Sequence, residues 1–277
     1  MVPITYLLHF LEEDVPCGDV TSDAIIGDIS CTAVIRAEQD GIISGVAEAE
    51  ALFSYAGVLV KSSKKEGAGI CSGDVILTLE GDAKKILIIE RTALNILGRM
   101  SGIATQTRKM VTIVSSVNSR CRIASTRKTC PGLRILDKKA VVAGRGDPHR
   151  MNLSDGILVK DNHLALVSLI DAIREAKNAS LYKKIEVEVE NRADAVAAAT
   201  AGADIILLDN MTPDQITGTL ADLKRKDLRD RVIIELSGGI DEDSLRKYAS
   251  LDVDVISMGS LTHSVKNFSL NLEIQPV

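Results

Sequence analysis

From residue 120 onward, short apolar runs of strand length alternate with amphipathic segments of helix length. The runs are CRIAST, GILVKDNH, IEVEVEN, DIILLDN, VIIELSGG and DVISMGSLTHS. Regular alternation of nearly continuous apolar strands with helices is typical of a parallel α/β sheet. Because there are too few units for an eight-stranded barrel, we predict an α/β fold with an incomplete α/β barrel. An open, doubly wound sheet is the alternative.

The N-terminal part of the chain has a different pattern. CTAVIRAEQDGIISG and GVLVKSSKKEGAGICSGDVILTLEG alternate between apolar and polar residues and are interrupted by Gly and Asp, as strands joined by turns are. GVAEAEALFSYAG between them predicts one helix. The sequence thus predicts a small α+β domain of roughly 85 to 95 residues. The apolar spacing in KKILIIERTALNILGRMSGIATQTRKMVTIVSSV predicts two helices that link this domain to the barrel.

Composition excludes several classes of protein. A net charge of −5 argues against a general nucleic-acid or anionic-membrane binder, because such proteins usually carry a basic surplus. The chain start lacks the basic region of a signal peptide, and no apolar run approaches the ~18 residues that span a bilayer. The 5 cysteines lack CxxC spacing, so neither a disulfide framework nor a zinc site is favoured. We therefore expect a cytoplasmic protein.

Polar residues recur at one position relative to the apolar runs, at or just after their carboxyl ends. In parallel α/β folds this edge of the sheet is where ligands bind. Six such positions in succession have no purely structural explanation in buried strands. The cationic or titratable members are Arg127, Lys128, His149, Arg150 and Lys160, and the carboxylates are Glu188 and Asp209.

This combination predicts a pocket for a substrate with several negative charges. The cations bind one part of it, and backbone N–H groups of the glycine-containing turns SGG and MGS bind phosphate. Two carboxylates on neighbouring strands are suited to holding Mg²⁺ against a diphosphate.

The same residues also carry a family resemblance. STRKTCPGLRILDKKAV, HRMNLSDGILVKDNH, IEVEVEN, ADIILLDNM, LSGGI and VDVISMGSLTHS resemble, in order and spacing, quinolinate phosphoribosyltransferase, the carboxylating nicotinate-nucleotide pyrophosphorylase family. GDVTSDAI, DGIISG and ERTALNILGRMSGIAT extend the resemblance over nearly the whole chain. It implies an Mg²⁺-dependent transfer of phosphoribose from phosphoribosyl diphosphate to quinolinate, with decarboxylation to nicotinate mononucleotide in NAD biosynthesis.

The resemblance also implies a division of the chain. An N-terminal α+β sandwich domain over residues 1–95 would precede a barrel domain over residues 96–264. The C-terminal tail, residues 265–277, would return to the first domain.

Specific residues follow from the resemblance. Arg127, Lys128, His149 and Arg150 would hold the pyridine dicarboxylate, and Arg91 would join them from the neighbouring subunit of a homodimer, with a higher oligomer left open. Lys128, Lys160, Glu188 and Asp209 would be catalytic, and Glu188 and Asp209 would hold the metal. The residues expected to bind phosphate are Ser237, Gly238, Gly239 and Gly259.

One loop departs from the family pattern, and other functions stay open. Where a run of glycines is expected, AGRGDPHR contains Arg145, Asp147 and Pro148. A sister family associated with molybdate transport shares the TRK region but lacks the intact KDNH found here. A phosphoribosyltransferase for another anionic aromatic acid, and a non-catalytic sensor of the diphosphate sugar, are the remaining alternatives.

Overall fold

The structure, a computed structural model, describes residues 2–276. Its helices are α1 (Ile4–Asp14), α2 (Val20–Ile25), α3 (Val46–Tyr55), α4 (Ala83–Ser115), α5 (Arg134–Ala143), α6 (Asp161–Leu164), α7 (Leu169–Ala179), α8 (Arg192–Ala201), α9 (Pro213–Arg225), α10 (Glu242–Ala249) and α11 (Ser260–His263). Its strands are β1 (Ser30–Ala37), β2 (Gly41–Ile42), β3 (Leu59–Ser63), β4 (Gly69–Ile70), β5 (Val75–Asp82), β6 (Arg122–Ala124), β7 (Ile157–Val159), β8 (Ile185–Val189), β9 (Ile205–Asp209), β10 (Ile233–Ser237), β11 (Val255–Ser257) and β12 (Leu270–Pro276).

The chain forms two compact units, and their division differs in detail from the predicted one. Among the described residues, the first unit comprises 2–108, 130–145 and 264–276, and the second comprises 109–129 and 146–263. The predicted boundary at 95/96 thus corresponds to a division inside α4, at 108/109. Residues 130–145 belong to the first unit although they follow the first barrel strand in sequence.

Helix α4 corrects one prediction, because it is a single helix of 33 residues instead of two. Its two glycines do not break it; they let the C-terminal segment of the first unit approach closely. The Phe268 N–H donates to the Gly98 carbonyl at 2.8 Å, and a Cβ at Gly98 would lie 3.0 Å from the Phe268 carbonyl oxygen. At Gly102 a Cβ would collide with the main chain of Lys266.

The first unit is built on a four-stranded antiparallel sheet with the order β12-β1-β5-β3. Side chains that alternate along β1 and β5, such as Ile35, Leu77 and Leu79, are fully buried. They share one core with α3 and α4, where Leu52 and Leu97 are also fully buried. The C-terminal strand β12 pairs with β1 over its whole length, so the tail completes the sheet of this unit.

The second unit has a six-stranded parallel sheet with the order β6-β11-β10-β9-β8-β7. The sheet continues past β6 by a single parallel bridge between Ala124 and Asp147. Each apolar run of the sequence became one strand of this sheet, which confirms the predicted α/β fold with its incomplete barrel.

Strand β8 shows how the sequence gives the barrel two chemically different faces. Ile185, Val187 and Val189 belong to the apolar core shared with the helices. Glu186 and Glu188 alternate with them, so they point to the opposite face. The inner face of this barrel therefore carries charge, and the strand ends open into it.

Two further findings concern the described residues as a set. No helix within residues 2–276 combines the length and the apolar character that crossing a membrane requires. All 5 cysteines are free; Cys31 and Cys121 are buried, and Cys17, Cys71 and Cys130 are exposed.

Candidate active site at the carboxyl edge of the barrel

The carboxyl ends of the barrel strands enclose one cavity of about 820 Å³, entirely within the second unit. Every site residue predicted from the sequence except Arg91 lines it. These residues are Arg127, Lys128, His149, Arg150, Lys160, Glu188, Asp209, Ser237, Gly238, Gly239 and Gly259. The fold brings these residues together because parallel strands present their carboxyl ends at one edge.

Two arginines of the cavity, Arg127 and Arg150, lie close enough for their positive charges to repel each other, and their hydrogen-bond donors are not all paired within residues 2–276. The Arg127 Nε atom is buried and has no hydrogen-bond partner among the described residues. Burial and then the charge of Arg127 lower the pKa of Arg150, against the opposing effect of Glu186 and nearby carboxylates. A buried N–H group without an acceptor costs free energy, so the site is organised to receive an acceptor.

Lys128 is positioned by the turn after the last barrel strand and by the short helix α11 that follows it. Its carbonyl oxygen accepts the Thr262 hydroxyl at 2.8 Å. A Cβ at Gly259 would lie 3.1 Å from the Lys128 Cδ atom, so the glycine gives the lysine stem room to pass. Gly259 thus has a packing role at the cavity wall in addition to exposing its backbone.

His149 sits in a left-handed conformation with φ 54°, which non-glycine residues seldom adopt. The Asp147 carboxylate accepts the His149 backbone N–H at 2.8 Å and so stabilises this turn. The Asp147 main chain is itself bonded to β6 and the residue after it, donating to the Ile123 carbonyl at 2.8 Å and accepting from the Ser125 N–H at 3.0 Å. Asp147, which interrupts the expected glycine run, therefore anchors the loop that carries His149.

Two buried glutamates lie beneath His149. Its Nε2 atom is 3.3 Å from Glu235 and 3.7 Å from Glu186. Burial and the charge of Glu235 raise the pKa of Glu186 to about 7, although His149 and Arg150 partly oppose this. The Glu186 Oε1 atom has no hydrogen-bond partner among the described residues.

Sequence reasoning did not select Glu235. The available signal was a charged residue in the middle of VIIELSGG, an otherwise apolar strand. The strand register places Glu235 and Glu188 opposite the same residue, Leu207, so all three share one layer of the barrel.

The two predicted metal ligands have different neighbours. Glu188 accepts a hydrogen bond from the Lys160 ammonium group. Asp209 accepts from the Asn210 side-chain amide at 2.6 Å. Both carboxylates line the cavity at adjacent strand ends, and oxygen donors of this kind are those that Mg²⁺ prefers.

The turn after β10 exposes backbone at the same edge. Gly238 and Gly239 both have positive φ, 94° and 60°. A Cβ at Gly238 would collide with Asn210, whose backbone N–H donates to the Ser237 carbonyl at 3.0 Å. This close approach requires glycine and leaves a concave backbone of the kind that binds phosphate.

One predicted site residue and one basic residue that follows the TRK motif lie in the first unit, away from the lining of this cavity. Arg91 is an exposed residue of α4 in the first unit. Arg134, which follows Arg127 and Lys128 closely in sequence, begins α5 and also belongs to the first unit.

Comparison with known proteins identifies both parts of the chain. Residues 19–101 match the family model described as quinolinate phosphoribosyl transferase, N-terminal domain. Residues 103–273 match the corresponding C-terminal domain. The two matches follow one another in the order of the family and cover most of the chain.

Relatives of known name are similar over almost their full length. A probable nicotinate-nucleotide pyrophosphorylase (carboxylating) from Methanothermobacter thermautotrophicus is 47% identical over 96% of this chain and 97% of its own. The nicotinate-nucleotide pyrophosphorylase (carboxylating) of Rattus norvegicus is 34% identical over 96% of this chain and 88% of its own. The crystal structure of NadC from Streptococcus pyogenes has a TM-score of 0.93 and 36% identity, covering 100% of this chain and 99% of that one.

Proposed function

The chain belongs to the quinolinate phosphoribosyltransferase family, and from that premise we propose how its barrel cavity binds two substrates and supports the family's reaction. The enzyme transfers phosphoribose from phosphoribosyl diphosphate to the ring nitrogen of quinolinate. Carbon dioxide and diphosphate are released, and the product is nicotinate mononucleotide, an intermediate of NAD biosynthesis.

In this proposal the quinolinate subsite is the cationic wall of the cavity. Arg127, Lys128, His149 and Arg150 bind the two adjacent carboxylates of the substrate. Arginine pairs with carboxylates through two parallel hydrogen bonds, which suits a planar diacid. The observation that carries the assignment is the buried Arg127 Nε, which lacks an acceptor among residues 2–276.

The sugar diphosphate subsite occupies the other wall. Lys160 faces the leaving diphosphate, and the backbone N–H groups of Ser237, Gly238, Gly239 and Gly259 receive phosphate oxygens. Glu188 and Asp209 would hold Mg²⁺, whose oxygen-donor preference they satisfy, directly or through water. When bound, the metal would supply charge neutralisation at the diphosphate.

The chemistry needs positioning and charge more than a covalent nucleophile. The ring nitrogen attacks the anomeric carbon as the bond to diphosphate breaks, and Lys160 stabilises the departing negative charge. The alkylated nitrogen is then a cation. It accepts the electron pair that remains when the adjacent carboxylate leaves as carbon dioxide, after which the ring carbon takes up a proton. The protein holds both substrates in register and excludes water.

The assembly and the compartment are further parts of the proposal. In a homodimer, Arg91 of one subunit would reach the quinolinate subsite of its partner, and its exposure on α4 is compatible with such a contact. A cytoplasmic location is supported by the 5 free cysteines, since disulfides are rare in reducing compartments.

The test is a coupled assay with quinolinate, phosphoribosyl diphosphate and Mg²⁺. We expect carbon dioxide and nicotinate mononucleotide in equal amounts, and loss of quinolinate use in Arg127→Ala. Unchanged kinetics in this variant would refute the assigned subsite. Competition between quinolinate and nicotinate separates the alternative of another aromatic acid, because this cationic wall should bind the monoacid far more weakly.

A further inference from the structure

Two buried carboxylates beneath a site for a dianion require an explanation. The side chains of Glu186 and Glu235 are only 6% and 3% exposed. A buried carboxylate is unfavourable unless a cation or a hydrogen-bond donor compensates it. A negative charge at this position also opposes the binding of an anion in the same cavity. Their presence therefore points to a partner that needs them.

That partner is His149. The hydrogen bond that the structure gives the Glu235 side chain runs to the His149 Nε2 atom, at 3.3 Å. An ionised carboxylate only accepts hydrogen bonds, so the ring nitrogen is the donor. Glu235 is fixed in the middle of β10 by its pairing with Leu207 and Val255, which makes it a rigid support.

Both the backbone and the ring of His149 are therefore held in place. The Asp147 carboxylate fixes its backbone N–H, and the carboxylates of Glu235 and Glu186 face its ring. The ring also lines the cavity together with the cations of the quinolinate subsite, so its orientation decides what it offers to a ligand.

We propose that Glu235 is the positioning residue of His149, and that it holds the ring as a fixed imidazolium at the floor of the anion-binding cavity. The quinolinate role of that cavity rests on the proposed function, whereas the Glu235–His149 pairing does not. An imidazolium adds one more cation for a second carboxylate, so the pair favours a dicarboxylate over a monocarboxylate. The charged groups beside the ring are Glu186 on β8 and Glu235 on β10. The cavity that the ring lines also contains the cations Arg127, Lys128, Arg150 and Lys160, the carboxylates of Asp161, Glu188, Asp209 and Asp241, and the imidazole of His263.

A double-mutant cycle tests whether Glu235 acts through His149. We expect Glu235→Gln to raise the KM for quinolinate about tenfold with a much smaller change in kcat, because a substrate-binding charge is lost. In the His149→Asn background the same change should have no further effect. Effects that multiply would overturn the proposal. Glu48→Gln is the matched control, since Glu48 is a buried carboxylate paired with Lys139 in the first unit. It should leave the quinolinate KM unchanged.

A second measurement needs no turnover. Nitrogen NMR of ¹⁵N-histidine protein resolves the rings of the 4 histidines, and His149→Asn assigns the relevant one. At pH 7 we expect both ring nitrogens of His149 to be protonated in the wild-type protein, and a neutral ring in Glu235→Gln. A neutral His149 ring in the wild type would refute the proposal even if Glu235→Gln failed to fold. If the protein had no activity with quinolinate, the proposed function would be refuted. The NMR spectrum would still decide whether Glu235 holds His149 as an imidazolium, because it does not depend on activity.

Discussion

The interior of the first unit and the barrel cavity of the second differ in how they compensate buried charge. In the first unit each buried carboxylate meets one cation, as in Arg99–Asp137 at 2.7 Å and Lys139–Glu48 at 2.6 Å. In the second unit the buried Arg127 Nε has no partner among the described residues, and Glu186 lies beside another carboxylate. We call a buried charge matched when an opposite charge within the same unit pairs with it; such pairs stabilise the fold. A buried charged group that is left unmatched in a cavity indicates that a ligand binds there.

The sequence alone does not separate these two classes. Arg127 and Lys128 stand only a few residues before Asp137 and Lys139, and both groups occur in one basic stretch. The fold sends the first pair to the barrel cavity and the second to the ion pairs of the first unit. What distinguishes them is whether a partner lies within reach in space.

The largest effect should come from removing an unmatched cation. Arg127→Met should lower kcat/KM for quinolinate by about 10³-fold or more, equivalent to ~4 kcal/mol of lost transition-state binding. Its melting temperature should stay the same or rise, because the crowding with Arg150 is relieved. Steady-state kinetics and thermal unfolding check both parts. An Arg127→Met variant that loses stability but keeps its kinetics would show that Arg127 has a structural role, as the ion-paired residues of the first unit do.

Removing one member of a matched pair should have the opposite profile. Asp137 is fully buried and accepts two hydrogen bonds from Arg99, at 2.7 and 2.9 Å. Asp137→Asn should lower the free energy of unfolding by about 3–5 kcal/mol, since it removes one charge of a buried ion pair. Urea unfolding measures this loss. The KM for quinolinate of the folded fraction should not change, and a changed KM would contradict a purely structural role.

The unmatched carboxylate should make stability depend on pH. The pKa of Glu186 is raised to about 7 by burial and Glu235, so the native state favours its protonated form. This contribution is complete below the unfolded pKa of ~4.5 and is lost as the pH rises through 7. Relative to Glu186→Gln, the wild type should therefore lose on the order of 2–3 kcal/mol between pH 4.5 and 8. Urea unfolding of both proteins across this range checks the sign; a constant difference would show that folding leaves the pKa of Glu186 unchanged.

A smaller effect on stability and KM is expected at the turn after β10, where backbone conformation and not side-chain charge shapes the cavity. Gly238→Ala introduces a Cβ that collides with Asn210 and at φ 94° is strained in any case. We expect a loss of about 1–3 kcal/mol in unfolding free energy and a higher KM for phosphoribosyl diphosphate. Gly73→Ala is the control, because its φ is 90° but no atom lies within 4 Å of the added Cβ. Equal KM values in the two variants would argue against a phosphate role for the turn after β10.

Much of the fold was predictable because its signals are local. The strands of the barrel and the alternation in IEVEV follow from short-range patterns, and the polar strand ends follow from the shared direction of parallel strands. The continuity of α4 was not predictable, because Gly98 and Gly102 look like breaks until the C-terminal segment is placed against them.

From the sequence, candidate site residues could be selected only where a charged or polar residue stands at the carboxyl end of a predicted strand. Glu235 was missed because a single charge in an apolar strand has no meaning until His149 lies beside it. The structural role of Asp147 was missed for the same reason, since its partner is a backbone N–H in a turn with positive φ. Both are contacts that only the folded chain creates.

The most direct test of the cationic cavity is a crystal structure of the protein soaked with quinolinate. The predicted result places the two carboxylates of the diacid within hydrogen-bond distance of Arg127 and Arg150, with the Arg127 Nε donating to one of them. Density for quinolinate on another surface of the protein, with these arginines unchanged, would contradict the account.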